Sequence, residues 1–215
     1  MKHIYFISGF GADERVFAKL DFGENELHFI AWKIPERKET IASYALRMRD
    51  EITDPNPILI GLSFGGMMCV EIAKIISTEK IILISSIATI DEMPVHMRLA
   101  ARLHIHKIFP LRPSKLLAPL ENYNLGVVDK EEKELVREYR KNIDPQYCTW
   151  AIEEILNWKN DWYPPNVVHI HGAKDRIFPV KYIRADYVVP GGGHLLLMNK
   201  ANKVNEILKK IIPSS

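Results

Sequence analysis

Short apolar runs alternate with amphipathic stretches along most of the chain. "HIYFIS" (3–8) is β-rich and stops at the turn "GFG" (9–11), and "ELHFIAW" (26–32) is a second candidate strand. Between 39 and 52, Ile41, Tyr44, Ala45, Met48 and Ile52 fall on one helical stripe, with Arg47, Arg49 and Asp50 off it. "DPNP" (54–57) closes that helix, because proline lacks the N–H and clashes with the preceding turn. "ILIGL" (58–62) is apolar throughout, as a strand buried on both faces requires. The spacing is helical from Phe64 to about Ser77, and "KIILISS" (80–86) returns to strand.

This alternation predicts an α/β fold: a parallel sheet with helices on both faces. It stops after Ile87. From Ala88 to about Asn160 only helical pieces are legible. One is "DKEEKELVREYRKN" (129–142), charged enough to read as solvated. Another opens at "DPQ" (144–146), where Asp144 can cap and Pro145 can take the first helical position. Strands resume with "NVVHIHG" (166–172) and "ADYVV" (185–189), and an amphipathic helix follows over about 195–211. The resulting organisation is a core of 1–87 and 161–215, with 88–160 as a helical cap over the C-terminal edge of the sheet. The chain has no internal repeat or low-complexity tract.

Composition narrows the partners. Apolar residues are 47% and charged residues 26% of 215, the balance of a globular domain with a sizeable core. Lys and Arg number 29 against 27 Asp and Glu, which offers no basic surface for nucleic acid or an anionic membrane. The apolar run before Ser8 and Gly9 is too short for a signal segment or a membrane span. Cys69 and Cys148 are two isolated thiols, not a disulfide framework. Cys69 reads as a small buried hydrophobe. These features together give a cytoplasmic expectation.

The candidate chemistry starts at Ser63 in "GLSFGG" (61–66), at a strand-to-helix junction. A serine hydroxyl is a poor nucleophile at neutral pH. It needs a base to take its proton, a group to orient that base, and donors for the oxyanion. A sharp turn at Ser63 would expose the hydroxyl, and Gly61, Gly65 and Gly66 remove side chains that would clash there. The base candidate is His194, on a glycine loop directly after a strand in "VVPGGGHLLLM" (188–198). Other histidines suit the role less. His104 and His106 lie in the cap with too few partners for a metal, and His169 and His171 alternate along a strand. His169 suits packing, and His171 borders the site at the strand end. The orienting acid is Asp175, with Asp91 as its rival; the short turn closed by Pro179 favours Asp175. The oxyanion donors are the amides of Phe64 and of Phe10, with Gly11 as the fallback for Phe10.

At "SGFGAD" (8–13), "GLSFGG" (61–66), "HGAKDRIFP" (171–179) and "GGGHLLLM" (191–198), the chain resembles the α/β-hydrolase superfamily, in particular small cap-bearing carboxylesterase-like members. The order and intervals of these stretches agree over nearly the whole chain, while the cap carries no matching motif. The resemblance implies a Ser63–His194–Asp175 triad, hydrolysis through an acyl-enzyme, and a shortened, mainly parallel sheet of about six strands. Two departures accompany it. Many members have His-Gly where this chain has Ser8-Gly9, and the chain starts at what the family would call its third strand. The expected activity is cleavage of a small acyl ester without cofactor or metal. Thioesterase, amidase and aminopeptidase chemistry use the same triad, and a ligand-binding receptor on the same fold is the alternative of a different class. An apolar pocket is expected from Phe10, Gly11, Met67, Leu99 and Leu103.

Overall fold

A computed structural model gives the architecture and describes residues 1–103 and 117–212. Six strands form one all-parallel sheet: β1 (His3–Ile7), β2 (Glu26–Ile30), β3 (Ile58–Leu62), β4 (Lys80–Ile84), β5 (Val167–Gly172) and β6 (Tyr187–Val189). Their spatial order is β2-β1-β3-β4-β5-β6, so the sheet grows outward in both directions from β1 and β3. Each of the six apolar runs of the sequence became a strand, and β3 is buried along its whole length.

Alternation along these strands builds two cores. Tyr5, Ile7, Leu59, Ile81 and Leu83 point to one face, where they meet α1 (Ile41–Arg49) and α2 (Phe64–Ala73). Ile4, Phe6, Ile58, Ile60, Ile82 and Ile84 point to the other. That face is covered by α7 (Leu196–Asn199) and α8 (Ala201–Ile211), through residues such as Leu196, Val204 and Leu208. A side chain of this size contributes roughly 1.5–3 kcal/mol when fully buried, so these two layers carry most of the driving force for folding.

Local signals explain the helix limits. Thr40 and Ser43 form a reciprocal capping box that starts α1, and its predicted stripe of Ile41, Tyr44, Ala45 and Met48 is buried. Ile52 is also buried, three residues past the helix end. The C-terminal amphipathic stretch is two helices, not one. The chain leaves helical geometry at Lys200 (φ −124°, ψ 20°), which ends α7 and opens α8.

Between β4 and β5 the described chain is helical: α3 (Val95–Arg102), α4 (Ala118–Leu125), α5 (Lys130–Asn142) and α6 (Pro145–Asn157). Asp144 caps α6 by accepting from the Gln146 and Tyr147 amides, with Pro145 at the first position as expected. α5 differs from its solvated reading. Glu132, Val136 and Tyr139 form a buried stripe within an otherwise charged helix, and the Glu132 carboxylate accepts from the Val128 and Asp129 amides. The two ends of the excursion are tied together: Asn160 Nδ2 donates to Ala88 O at 2.7 Å, and Ile90 N donates to Asn160 O at 2.7 Å.

Candidate active site

The site lies at the C-terminal ends of the strands, and each part depends on how a strand exits the sheet. β3 ends at Leu62, and the Ser63 amide still donates to Ile84 O at 2.9 Å. The backbone then turns at φ 52°, ψ −119°, a conformation that costs an L-residue on the order of 1–3 kcal/mol. Close packing holds it there. A Cβ on Gly65 would sit 2.1 Å from Ile7 O, and one on Gly61 would sit 2.4 Å from Gly65 O. Ser86 adds a clamp, its hydroxyl donating to Ser63 O at 2.6 Å. The turn leaves the Ser63 side chain partly exposed at the mouth of α2, whose N-terminus supplies a positive dipole end.

Asp175, His194 and Ser63 form one hydrogen-bonded chain. His194 Nε2 lies 2.8 Å from Ser63 Oγ, and His194 Nδ1 lies 2.8 Å from Asp175 Oδ2. Since a carboxylate only accepts, Nδ1 carries the proton in the neutral ring, which leaves Nε2 free to accept from the serine. Asp175 Oδ1 accepts from the Ile177 and Phe178 amides at 2.8 and 2.9 Å, fixing the carboxylate in its turn. Burial pushes the Asp175 carboxyl up, but His194, His171 and the Phe178 amide outweigh it and hold the group below the ordinary aspartate range. Asp91 is exposed in a 3-10 turn (Ile90–Glu92) and takes no part in this chain.

The glycines before His194 serve close approach more than slack. A Cβ on Gly172, at the end of β5, would lie 2.5 Å from both Gly192 O and Gly193 O. Lys174 N donates to Gly192 O at 2.7 Å, so the Asp175 turn and the His194 loop are hydrogen-bonded to each other. That contact sets the spacing of acid and base.

The turn after β1 adjoins the serine. A Cβ on Gly9 would be 3.5 Å from Ser63 Cβ. Among the described residues, neither the Phe10 nor the Phe64 amide has a hydrogen-bond partner, so both donors are free to meet an anion. Gly11, the fallback donor, takes the left-handed φ of +66°. Ser8, where relatives often have histidine, staples this turn. Its hydroxyl donates to Ala12 O at 2.6 Å and accepts from Trp32 Nε1 at 3.1 Å. The Trp32 ring stacks on Phe64 with centroids 4.9 Å apart, and its Nε1 also donates to Gly9 O at 3.2 Å, so one side chain touches both the β1 turn and the start of α2. Sequence reading flagged Ser8 only as a departure and missed Trp32 and Ser86; the apolar run 26–32 extending past β2 was the one available sign of Trp32.

Behind the acid, His171 Nε2 donates to Phe178 O at 2.7 Å and lies 3.4 Å from Asp175 Oδ2. Its Nδ1 pairs with His169 Nε2 at 3.3 Å, and both rings are fully buried. Burial lowers both imidazoles, His169 to about 3. His169 is therefore a core residue, while His171 touches the site itself.

A cavity of about 420 Å³ opens over Ser63 and His194. Its walls are largely apolar, including Phe10, Met67, Met97, Leu125, Ile152 and Ile177. Its polar lining includes Asn124, Tyr139 and Arg140, the last paired with Glu121 at 2.6 Å. Phe10, Gly11 and Met67 line it as expected. Leu99 and Leu103 do not: they are 53% and 57% exposed and lie outside the lining, and Met97 supplies the α3 contribution instead. On a short amphipathic helix, residues two and six positions from Met97 face away from it. His104 and His106 lie outside the described residues.

The profile of the alpha/beta hydrolase family matches residues 6–207. The chain belongs to that family. Solved structures agree on the fold. A thermophilic esterase from Thermogutta terrifontis is 17% identical with a TM-score of 0.70, covering 98% of this chain and 89% of its own. An esterase from Exiguobacterium antarcticum is 14% identical at TM-score 0.74, covering 100% and 92%. A bromoperoxidase from Bacillus anthracis is 16% identical at TM-score 0.71, covering 99% and 92%. Among curated proteins, no match to the sequence was found. Among the described residues, no helix is long and apolar enough to cross a membrane.

Proposed function

We propose that this protein is a serine hydrolase of small carboxylic esters, with Ser63, His194 and Asp175 as its triad. The observation that carries the reading is the continuous chain of two 2.8 Å contacts from Asp175 to Ser63 at the floor of an apolar cavity. In this mechanism His194 Nε2 takes the Ser63 proton as Oγ attacks the acyl carbon. Asp175 holds the ring in the required tautomer and stabilises the imidazolium. The Phe10 and Phe64 amides receive the tetrahedral oxyanion. His194 then protonates the departing alcohol, and a water deprotonated by the same ring releases the acid and restores Ser63. Such a scheme is complete without cofactor or metal.

The helical excursion acts as the cap, with 88–160 set on a core of 1–87 and 161–215. The Asn160 bonds to Ala88 and Ile90 support that division. The cap supplies the apolar wall facing the serine, which suits an aliphatic acyl chain. Because Arg140 is engaged by Glu121, the described lining offers a substrate carboxylate no unpaired cation. The partner is a small acyl molecule, with no role for nucleic acid or membrane. Cys69 and Cys148 are buried and lie outside any disulfide, which suits a reducing compartment, and the cytoplasm is the location we assign.

Turnover of a chain-length series of p-nitrophenyl esters, set against matched acyl-thioesters and anilides, tests this reading. The expected result is saturable ester hydrolysis with an acyl-enzyme burst. Preference for the thioester would move the substrate class while keeping the triad. A folded sample inert toward all three would overturn the enzyme reading in favour of a ligand-binding role.

A further inference from the structure

We propose a second site, a zinc-class metal site at the N-terminal end of the sheet, opposite Ser63. It is formed by His3, Glu26, His28 and Asp54. His3 opens β1 and Glu26 opens β2, and the parallel register sets these two side by side, with Tyr5 beside His28. Alternation puts 3 and 5 on one face of β1 and 26 and 28 on the same face of β2. Asp54 reaches this face from the loop between α1 and β3.

The donor atoms converge. His3 Nδ1 lies 3.3 Å from His28 Nε2, 3.2 Å from Asp54 Oδ2 and 3.4 Å from Glu26 Oε2. His28 Nε2 is 3.8 Å from Glu26 Oε1 and 3.9 Å from Asp54 Oδ2. Four ligands at zinc's usual distances, arranged as a tetrahedron, are separated by about 3.3–3.5 Å. The spacings among the His3, His28 and Asp54 donors, 3.2 to 3.9 Å, are near that figure; Glu26, whose two oxygens face His3 and His28 separately, takes the fourth position by rotating its exposed side chain inward.

Proton counting argues the same way. In the neutral rings His3 Nδ1 and His28 Nε2 carry at most one proton each, yet they face one another and two carboxylates. A cation at the centre satisfies all four lone pairs together. The donor set of two imidazoles and two carboxylates matches zinc and its first-row neighbours. Calcium and magnesium instead demand six or more ligands, mostly oxygen. Tyr5 OH donates to Asp54 Oδ2 at 2.5 Å, and the Thr53 amide donates to that hydroxyl at 3.3 Å, so the Asp54 carboxylate is held in place from behind. The four side chains are between 21% and 46% exposed, which leaves an entry path. Ligands drawn from two strands and a loop make this a structural clip, tying the edge strand β2 and the α1–β3 loop to β1.

Calorimetric titration of the chelator-treated protein with zinc chloride tests the site, read alongside thermal unfolding. The expected result is one saturable equivalent and a raised unfolding midpoint. His28→Ala and Asp54→Asn should each weaken binding by more than about tenfold and lose the midpoint shift. Tyr5→Phe should weaken binding by about ten- to a hundredfold. Glu26→Gln, an exposed and nearly isosteric change, gives the same test with little risk to folding. Ester turnover should be unaltered in the His28 and Glu26 variants. The proposal is overturned if the folded parent binds no zinc saturably, or if binding persists unchanged in Glu26→Gln and His28→Ala. Neither result bears on the Ser63 reading, which rests on the other end of the sheet.

Discussion

Two serines sit at equivalent exits from neighbouring strands, and only one of them is placed for chemistry. Ser63 follows β3 and passes its amide to Ile84 O on β4; Ser85 follows β4 and passes its amide to Ile170 O on β5. Both then take a positive φ, 52° and 47°. Their surroundings diverge from that point. The Ser63 hydroxyl faces a cavity with an imidazole 2.8 Å away. Ser85 is fully buried, and among the described residues its hydroxyl has no hydrogen-bond partner. Backbone strain at a strand end therefore does not make a nucleophile. A base, an anion site and a cavity must converge on the same hydroxyl.

The largest expected effect separates these two residues. Ser63→Ala should lower kcat/KM for the best ester by about four to six orders of magnitude, as loss of a triad nucleophile does. Ser85→Ala should leave kcat/KM within about threefold and stability within about 1 kcal/mol, because an unpaired buried hydroxyl contributes little. Steady-state kinetics and urea unfolding check the pair. The two acids form the next contrast. Asp175→Asn should cost about 10⁴ in kcat, while Asp91→Asn should leave it within about threefold.

A smaller effect concerns the buried histidines behind the acid. Both His169 and His171 have folded values below the ordinary 6.5, His169 at about 3. A lowered value means the unfolded chain binds protons that the fold refuses. The stabilisation is thus fully present above pH 6.5 and is lost as pH falls toward the folded values. Asp175, also lowered, acts in the same direction at more acidic pH. Unfolding free energy should fall by up to about 1 kcal/mol per pH unit for each histidine below pH 6.5. Urea titrations at pH 7, 6 and 5 should show this slope, and His169→Leu should make it shallower. The smallest contrast is within α3. Met97→Ala should raise KM a few fold for longer acyl esters, whereas Leu99→Ala on the outer face should change nothing measurable.

The sheet was legible because each strand advertises itself locally. "ILIGL" and "KIILI" are short, β-branched apolar runs bounded by turn residues, and Asp144 with Pro145 marks a helix start. Ser63, Asp175 and His194 were legible for a related reason: each lies directly after a strand, and parallel strands bring their C-terminal ends to one edge. What escaped depends on contacts between segments far apart in the chain. Ser86 under Ser63, Trp32 against Phe64 and His171 beside Asp175 have no local periodicity that marks them. Leu99 and Leu103 were named for the pocket and Met97 was not, since an apolar residue on a short cap helix does not declare which side faces the cavity. Glu26, His28 and Asp54 were equally silent, because their meeting with His3 depends on the register of β1 against β2.

Everything proposed for this site turns on Ser63 being the activated hydroxyl among the described residues. Intact and peptide mass spectrometry after treatment with a fluorophosphonate tests it most directly. One equivalent of adduct is expected on Ser63, abolished in Ser63→Ala, reduced in His194→Ala and fully retained in Ser85→Ala. A folded protein that takes up no phosphonate, or an adduct that survives Ser63→Ala, would contradict it.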